Sequence, residues 1–125
     1  MKKYSCLILD DNLFFQKILE ELIDGQEDLV LQSAINSNEA LRFSNISADV
    51  IFFDPTFIGM SASDLLKQLN YEPQLVIISS NDKLAPEVFQ NHVVDLLDKS
   101  TLTVDRFEQS VDKIKSSSFP ASISA

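Results

Sequence analysis

Apolar residues follow two alternating rhythms along the chain. Short runs that are apolar at nearly every position are separated by longer stretches whose apolar residues recur every three or four positions. Tyr4 to Leu9 is the first short run, and its length and composition predict a strand. Leu13 to Ile23 follows, with Phe15, Ile18, Leu19, Leu22 and Ile23 on one helical face. Leu29 to Ile35 reads as a second strand. Asn36, with Glu39 three residues later, resembles a capping box that opens a short helix through Ala40, Leu41 and Phe43. Val50 to Phe53 is apolar throughout, which predicts a strand covered on both faces. Ser61 to Leu69 has helical spacing, with Leu65, Leu66 and Leu69 inward. Leu75 to Ile78 is a fourth buried strand. Pro86 falls early in the next helix, where its missing N–H costs least, and that helix runs to about Asn91. Val93 to Leu97 is the fifth strand, and Val104, Phe107, Val111 and Ile114 mark a last helix.

Five β-then-α units with short connections predict an α/β fold, a parallel sheet with helices on both faces. In such sheets the working site lies outside the carboxyl ends of the strands. A chain of 125 residues fits one domain. We place the domain at residues 1–116 and read the Ser-rich, aperiodic stretch 117–125 as a flexible linker or tail, so that the chain reads as one piece of a longer protein. The net charge of −9, from 19 acidic and 10 basic residues, comes without a local basic patch. Direct nucleic-acid contact and anionic membrane are thereby disfavoured. No apolar run approaches the roughly 18 residues of a membrane helix. After Met1-Lys2-Lys3 the apolar run is short and ends at Asp10-Asp11, unlike a signal peptide. The one cysteine, Cys6, lies inside an apolar run and reads as a small core residue. A reducing cytoplasm is the expected setting.

The polar residues that close the strand runs are the informative ones. Asp10 and Asp11 follow the first run, Asp54 the third, and Lys99 the fifth; Ser79 and Ser80 close the fourth. A parallel sheet gathers all of them on one edge. Neighbouring carboxylates repel, and a hard divalent cation offsets that repulsion. Mg²⁺ suits such a site because it takes a few carboxylates plus water and phosphate oxygens. A carboxylate is also a competent nucleophile toward phosphorus. Mg²⁺ and Lys99 would balance the charge on a transferring phosphoryl group, and Ser79 could bond to the new phosphate. Each residue type also has a plainer reading. Asp10 and Asp11 could cap the first helix, Asp54-Pro55 could open a turn, Ser79-Ser80-Asn81-Asp82 could be a loop and cap, and Lys99 could be a solvated surface lysine. His92 has no partner at metal or triad spacing.

The ordered set Leu9-Asp10-Asp11, Asp54, Ser79 and Lys99 resembles the receiver domain of bacterial two-component response regulators, over residues 3 to about 115. The stretches Gly59-Met60-Ser61 and Val94-Asp95-Leu96-Leu97 further resemble receivers that precede LytTR-type DNA-binding domains. The resemblance implies a flavodoxin-like (CheY-like), doubly wound five-stranded sheet of order 2-1-3-4-5. It implies Asp54 as phosphoacceptor, with Ser79 as the switch hydroxyl and Lys99 as the phosphate partner. It also implies Mg²⁺ held by Asp10, Asp11, Asp54 and the backbone carbonyl of Thr56, with Asp11 the more direct ligand. A sensor histidine kinase is then the donor and an attached effector, DNA-binding for transcription regulation, the output; a homodimer is compatible with the family. The chain departs from the family at Pro55, Ile58, Ser80, His92, Ser100 and Leu96, the last standing where a switch aromatic is usual.

Two rival functions follow from the same residues. A degenerate receiver would act as a phosphorylation-independent interaction module, a reading favoured by the departures and opposed by the intact Asp11, Asp54 and Lys99. A dedicated enzyme on this sheet would want a Gly-rich phosphate loop after the first strand, and the two glycines, Gly25 and Gly59, lie elsewhere. A haloacid-type phosphatase would want Asp-x-Asp, which Asp10-Asp11-Asn12 does not supply. The expectation is therefore a signalling domain and not an enzyme, with only modest self-phosphorylation and dephosphorylation chemistry.

Overall fold

Strands that are apolar at every position need cover on both faces, and the tertiary structure supplies it. The computed structural model describes residues 3–35, 47–56, 61–80 and 93–117. Within them the elements are β1 (Tyr4–Leu9), α1 (Leu13–Asp24), β2 (Leu29–Ile35), β3 (Val50–Phe53), α2 (Ala62–Gln68), β4 (Gln74–Ser79), β5 (Val93–Asp98) and α3 (Val104–Ser116). All pairings are parallel, and the sheet order is β2-β1-β3-β4-β5. The chain thus leaves β1 toward one edge and returns past it toward the other, which places the switch in direction between β1 and β3.

The twofold alternation of the strands divides the core into two layers. Cys6 and Ile8 of β1, Val50 and Phe52 of β3, and Val76 and Ile78 of β4 face one side. There they meet Phe15, Leu19 and Ile23 of α1 and Phe107, Val111 and Ile114 of α3. Leu7, Leu9, Ile51, Phe53, Leu75 and Ile77 face the other side, where Leu65 of α2 covers them. Phe52 and Phe107 stack with ring centroids 5.6 Å apart, tying the central strand to the last helix. The helices start at side-chain caps: Asn12 accepts from the Phe15 N–H, Ser61 from that of Asp64, and Thr103 from that of Arg106.

Both edge strands carry an irregularity. The β1–β2 register slips between Cys6 and Leu7, and the β4–β5 register slips between Leu75 and Val76. The second slip lets Val94 and Asp95 both address the α3 side before Leu96 resumes the alternation on the α2 side.

The predicted elements are found with small shifts. β4 and β5 each reach one residue further at the carboxyl end, to Ser79 and Asp98, because the ladder continues past the last apolar residue. Val104 does not join the inward stripe of the last helix. It is 58% exposed at the first helical position, and burial begins one turn later at Phe107. The helix predicted through Ala40, Leu41 and Phe43, the helix containing Pro86, Ile58, the pair Gly59-Met60, Asn81, Asp82 and His92 lie outside the described residues, as do residues 118–125.

Candidate functional site

The ladder hydrogen bonds extend one rung beyond the apolar runs and pin the backbone of each residue that carries chemistry. The Asp10 N–H donates to the Ile35 carbonyl at 3.2 Å, the Asp54 N–H to Leu9 at 3.0 Å and the Lys99 N–H to Ser79 at 2.9 Å. Strand register therefore brings residues far apart in sequence to one edge of the sheet.

There, Lys99 Nζ lies 2.7 Å from Asp54 Oδ2 and 2.9 Å from Asp10 Oδ2. The two carboxylates are buried, and the lysine side chain is only 13% exposed. Burying like charges is costly unless a partner compensates, and Lys99 bridges the pair. Burial works to lower the ammonium's pKa, but the contacts with Asp54 and Asp10 outweigh it and hold Lys99 above its ordinary value. The ammonium also stands over the Phe15 ring, 4.7 Å from its centroid.

The remaining carboxylate oxygens are held locally. Asp54 Oδ1 accepts from both the N–H and the Oγ1 hydroxyl of Thr56, each at 2.8 Å. Asp10 Oδ1 accepts from the Asn12 N–H at 2.8 Å, and the buried Gln16 amide donates to the Asp10 carbonyl at 2.6 Å. Asp10 Oδ2 is buried and has its ion contact with Lys99 but no aligned hydrogen bond. Asp11, the residue after Asp10, is exposed. Among the described residues, no three acidic, histidine or cysteine side chains converge as a metal-ligand group. Asp10, Asp54 and Lys99 come together as a unit, Ser79 is buried at the end of β4, and Thr56 bonds Asp54.

The plainer readings fare unevenly. The N-cap of α1 is Asn12, one residue after the Asp10-Asp11 pair. Lys99 is not a solvated surface lysine. Leu96 packs half-buried against the α2-side core, at the place where an aromatic was missed.

A second ionic cluster escaped the sequence reading. Asp95 of β5, 3% exposed, takes a bidentate pair from Arg106 at 2.8 and 2.9 Å and a third bond from Lys113 at 3.0 Å. Burial works to raise its pKa, but the Arg106 and Lys113 bonds and the Leu96 N–H overcome it and bring the carboxyl down to about 2. The available signal was the seven-residue spacing of Arg106 and Lys113, two turns on one face of α3.

No family model matches the chain. It is 25% identical over 123 residues to an uncharacterized response regulatory protein of Shewanella oneidensis, covering 95% of this chain and 52% of that protein. It is 26% identical over 113 residues to the transcriptional regulatory protein BtsR of Salmonella typhi, covering 87% of this chain and 47% of that one. The chain thus spans about half the length of these relatives. The response regulator domain of CheB from Thermotoga maritima superposes with a TM-score of 0.72 at 22% identity, over 91% of this chain and 95% of that one. The parallel sheet of order 2-1-3-4-5 is the CheY-like receiver fold.

Proposed function

We propose that this chain is a receiver domain of a two-component response regulator and that Asp54 is its phosphoacceptor. One observation carries the reading: a buried carboxylate at the end of the central strand, ion-paired to Lys99 and sharing that ammonium with Asp10, in a receiver fold. In the proposed step a carboxylate oxygen of Asp54 attacks phosphorus on a phosphohistidine of a sensor histidine kinase. The Asp54 O–P bond forms as the N–P bond breaks, and the electron pair leaves on the imidazole nitrogen, which takes up a proton. Lys99 is within reach of the acceptor and balances charge on the phosphoryl oxygens. The Thr56 N–H and hydroxyl orient the carboxylate, and Ser79 offers a hydroxyl to the product.

The donor set fits Mg²⁺. Asp10, Asp54 and the Thr56 carbonyl offer hard oxygen ligands, with Asp11 next in sequence, and the two buried carboxylates share a single ammonium. When bound, Mg²⁺ supplies positive charge to the phosphoryl oxygens in transfer.

We assign the domain to the cytoplasm, with an effector attached, on the LytTR-like stretch Val94-Asp95-Leu96-Leu97 and the greater length of the relatives. No described helix is long and apolar enough to cross a membrane. The test is incubation with acetyl phosphate or phosphoramidate and Mg²⁺, followed by reductive trapping and mapping of the adduct. Modification should fall on Asp54 and vanish in Asp54→Ala. Full labelling of Asp54→Ala would overturn the assignment.

A further inference from the structure

The geometry points to Phe15 as a positioning residue that holds the Lys99 ammonium for phosphoryl transfer. This inference rests on the phosphoacceptor reading of Asp54. A lysine ammonium is a compact charge on a flexible four-carbon stem, so where it sits depends on what surrounds it. Here Asp54 at 2.7 Å and Asp10 at 2.9 Å attract it from the strand ends. The face of Phe15, 4.7 Å away at the centroid, attracts it from α1. The negative face of an aromatic ring draws a cation most strongly where water is excluded, and the Lys99 side chain is only 13% exposed.

The ring is itself held firmly. Phe15 is 6% exposed, it packs in the core layer with Cys6 and Ile8, and its N–H donates to the capping oxygen of Asn12 at 3.0 Å. Phe15 thus transmits the rigidity of the α1 cap to a side chain that would otherwise rely on two carboxylates alone. Its pull also leaves N–H donors of the ammonium for oxygen: Asp10 and Asp54 before transfer, a phosphoryl oxygen after it. The helical stripe assigns Phe15 to the core, and the structure adds this second duty.

The experiment replaces Phe15 with mono-, di- and trifluorinated phenylalanines, which keep size and shape while draining charge from the ring face, alongside Phe15→Tyr and Phe15→Leu. Two quantities are read: the rate of Asp54 labelling by phosphoramidate with Mg²⁺, and the chemical shift of the Lys99 ε-methylene protons in the metal-free protein. The rate should fall stepwise along the fluorinated series, by about threefold to tenfold at its end, while thermal stability holds. Phe15→Leu should lose as much, and Phe15→Tyr should stay within about twofold of the unsubstituted protein. The ε protons should be ring-shifted upfield with Phe or Tyr at position 15 and return downfield in Phe15→Leu. A flat rate across the series in a protein that labels at Asp54, or ε protons with no ring shift, would overturn the role of Phe15 alone. Failure of the unsubstituted protein to label at Asp54 would overturn the underlying reading and the rate effect with it, with the proton shift still deciding the contact.

Discussion

Two clusters of this molecule bury carboxylates beside cations, and they balance charge in opposite senses. On β5 and α3, one carboxylate, Asp95, faces two cations, Arg106 and Lys113, and both of its oxygens are bonded. At the carboxyl edge, the buried Asp10 and Asp54 share one cation, Lys99. The first arrangement is complete. Nothing need be added to it, and its consequence is to clamp the last helix to the edge strand. The second is short of positive charge, which is the condition under which a cation finds a favourable place. A buried ion pair therefore says little by itself. The sign of the residual charge separates a closed clamp from a cluster that can still take a cation.

The comparison breaks most visibly at Asp11. This residue is exposed, so Asp11→Ala should leave stability within about 0.5 kcal/mol of the parent. On the proposed role of Asp11 as a Mg²⁺ ligand, it should nevertheless slow phosphoramidate labelling of Asp54 by roughly tenfold or more and weaken Mg²⁺ binding seen by titration. Unchanged labelling and Mg²⁺ affinity would remove Asp11 from the site.

Asp95→Asn should show the reverse pattern. Removing one member of a charged hydrogen-bond network costs about 1.5–3 kcal/mol, toward the lower end here because Arg106 and Lys113 are partly exposed. Thermal denaturation should report a midpoint lower by roughly 5–10 °C. Asp54 labelling of the folded protein should not change. A matching loss of labelling would mean that the two clusters are coupled.

The same clamp can be read through its pH dependence. The folded-state pKa of Asp95, about 2, lies below the ordinary 3.8, so the unfolded chain binds the proton more readily. The stabilisation is fully present above pH ~4 and is lost as pH falls toward 2, with a span of about 2 kcal/mol. Denaturant unfolding of the parent and Asp95→Asn across that window should converge as pH falls. Parallel curves would show that the carboxylate's charge contributes little.

Much of this was legible along the chain. The mostly apolar runs at β1, β3 and β4 and the inward stripes of α1 and α3 announced a covered parallel sheet, and the polar residues closing those runs announced the edge where Asp10, Asp54 and Lys99 meet. These are local signals, because side-chain direction in a strand or helix is set by a period of two or 3.6 residues. What the tertiary structure alone decided is who compensates whom. Lys99 and Asp54 are 45 residues apart in sequence, and no periodicity reveals that one ammonium serves both Asp54 and Asp10. The partners of Asp95 depend on the register slip in β5 that turns it toward α3. The duty of Phe15 depends on α1 packing beneath the lysine that follows β5. Charge balance is a sum over neighbours in space, and the chain's rhythm specifies faces without specifying which faces will meet.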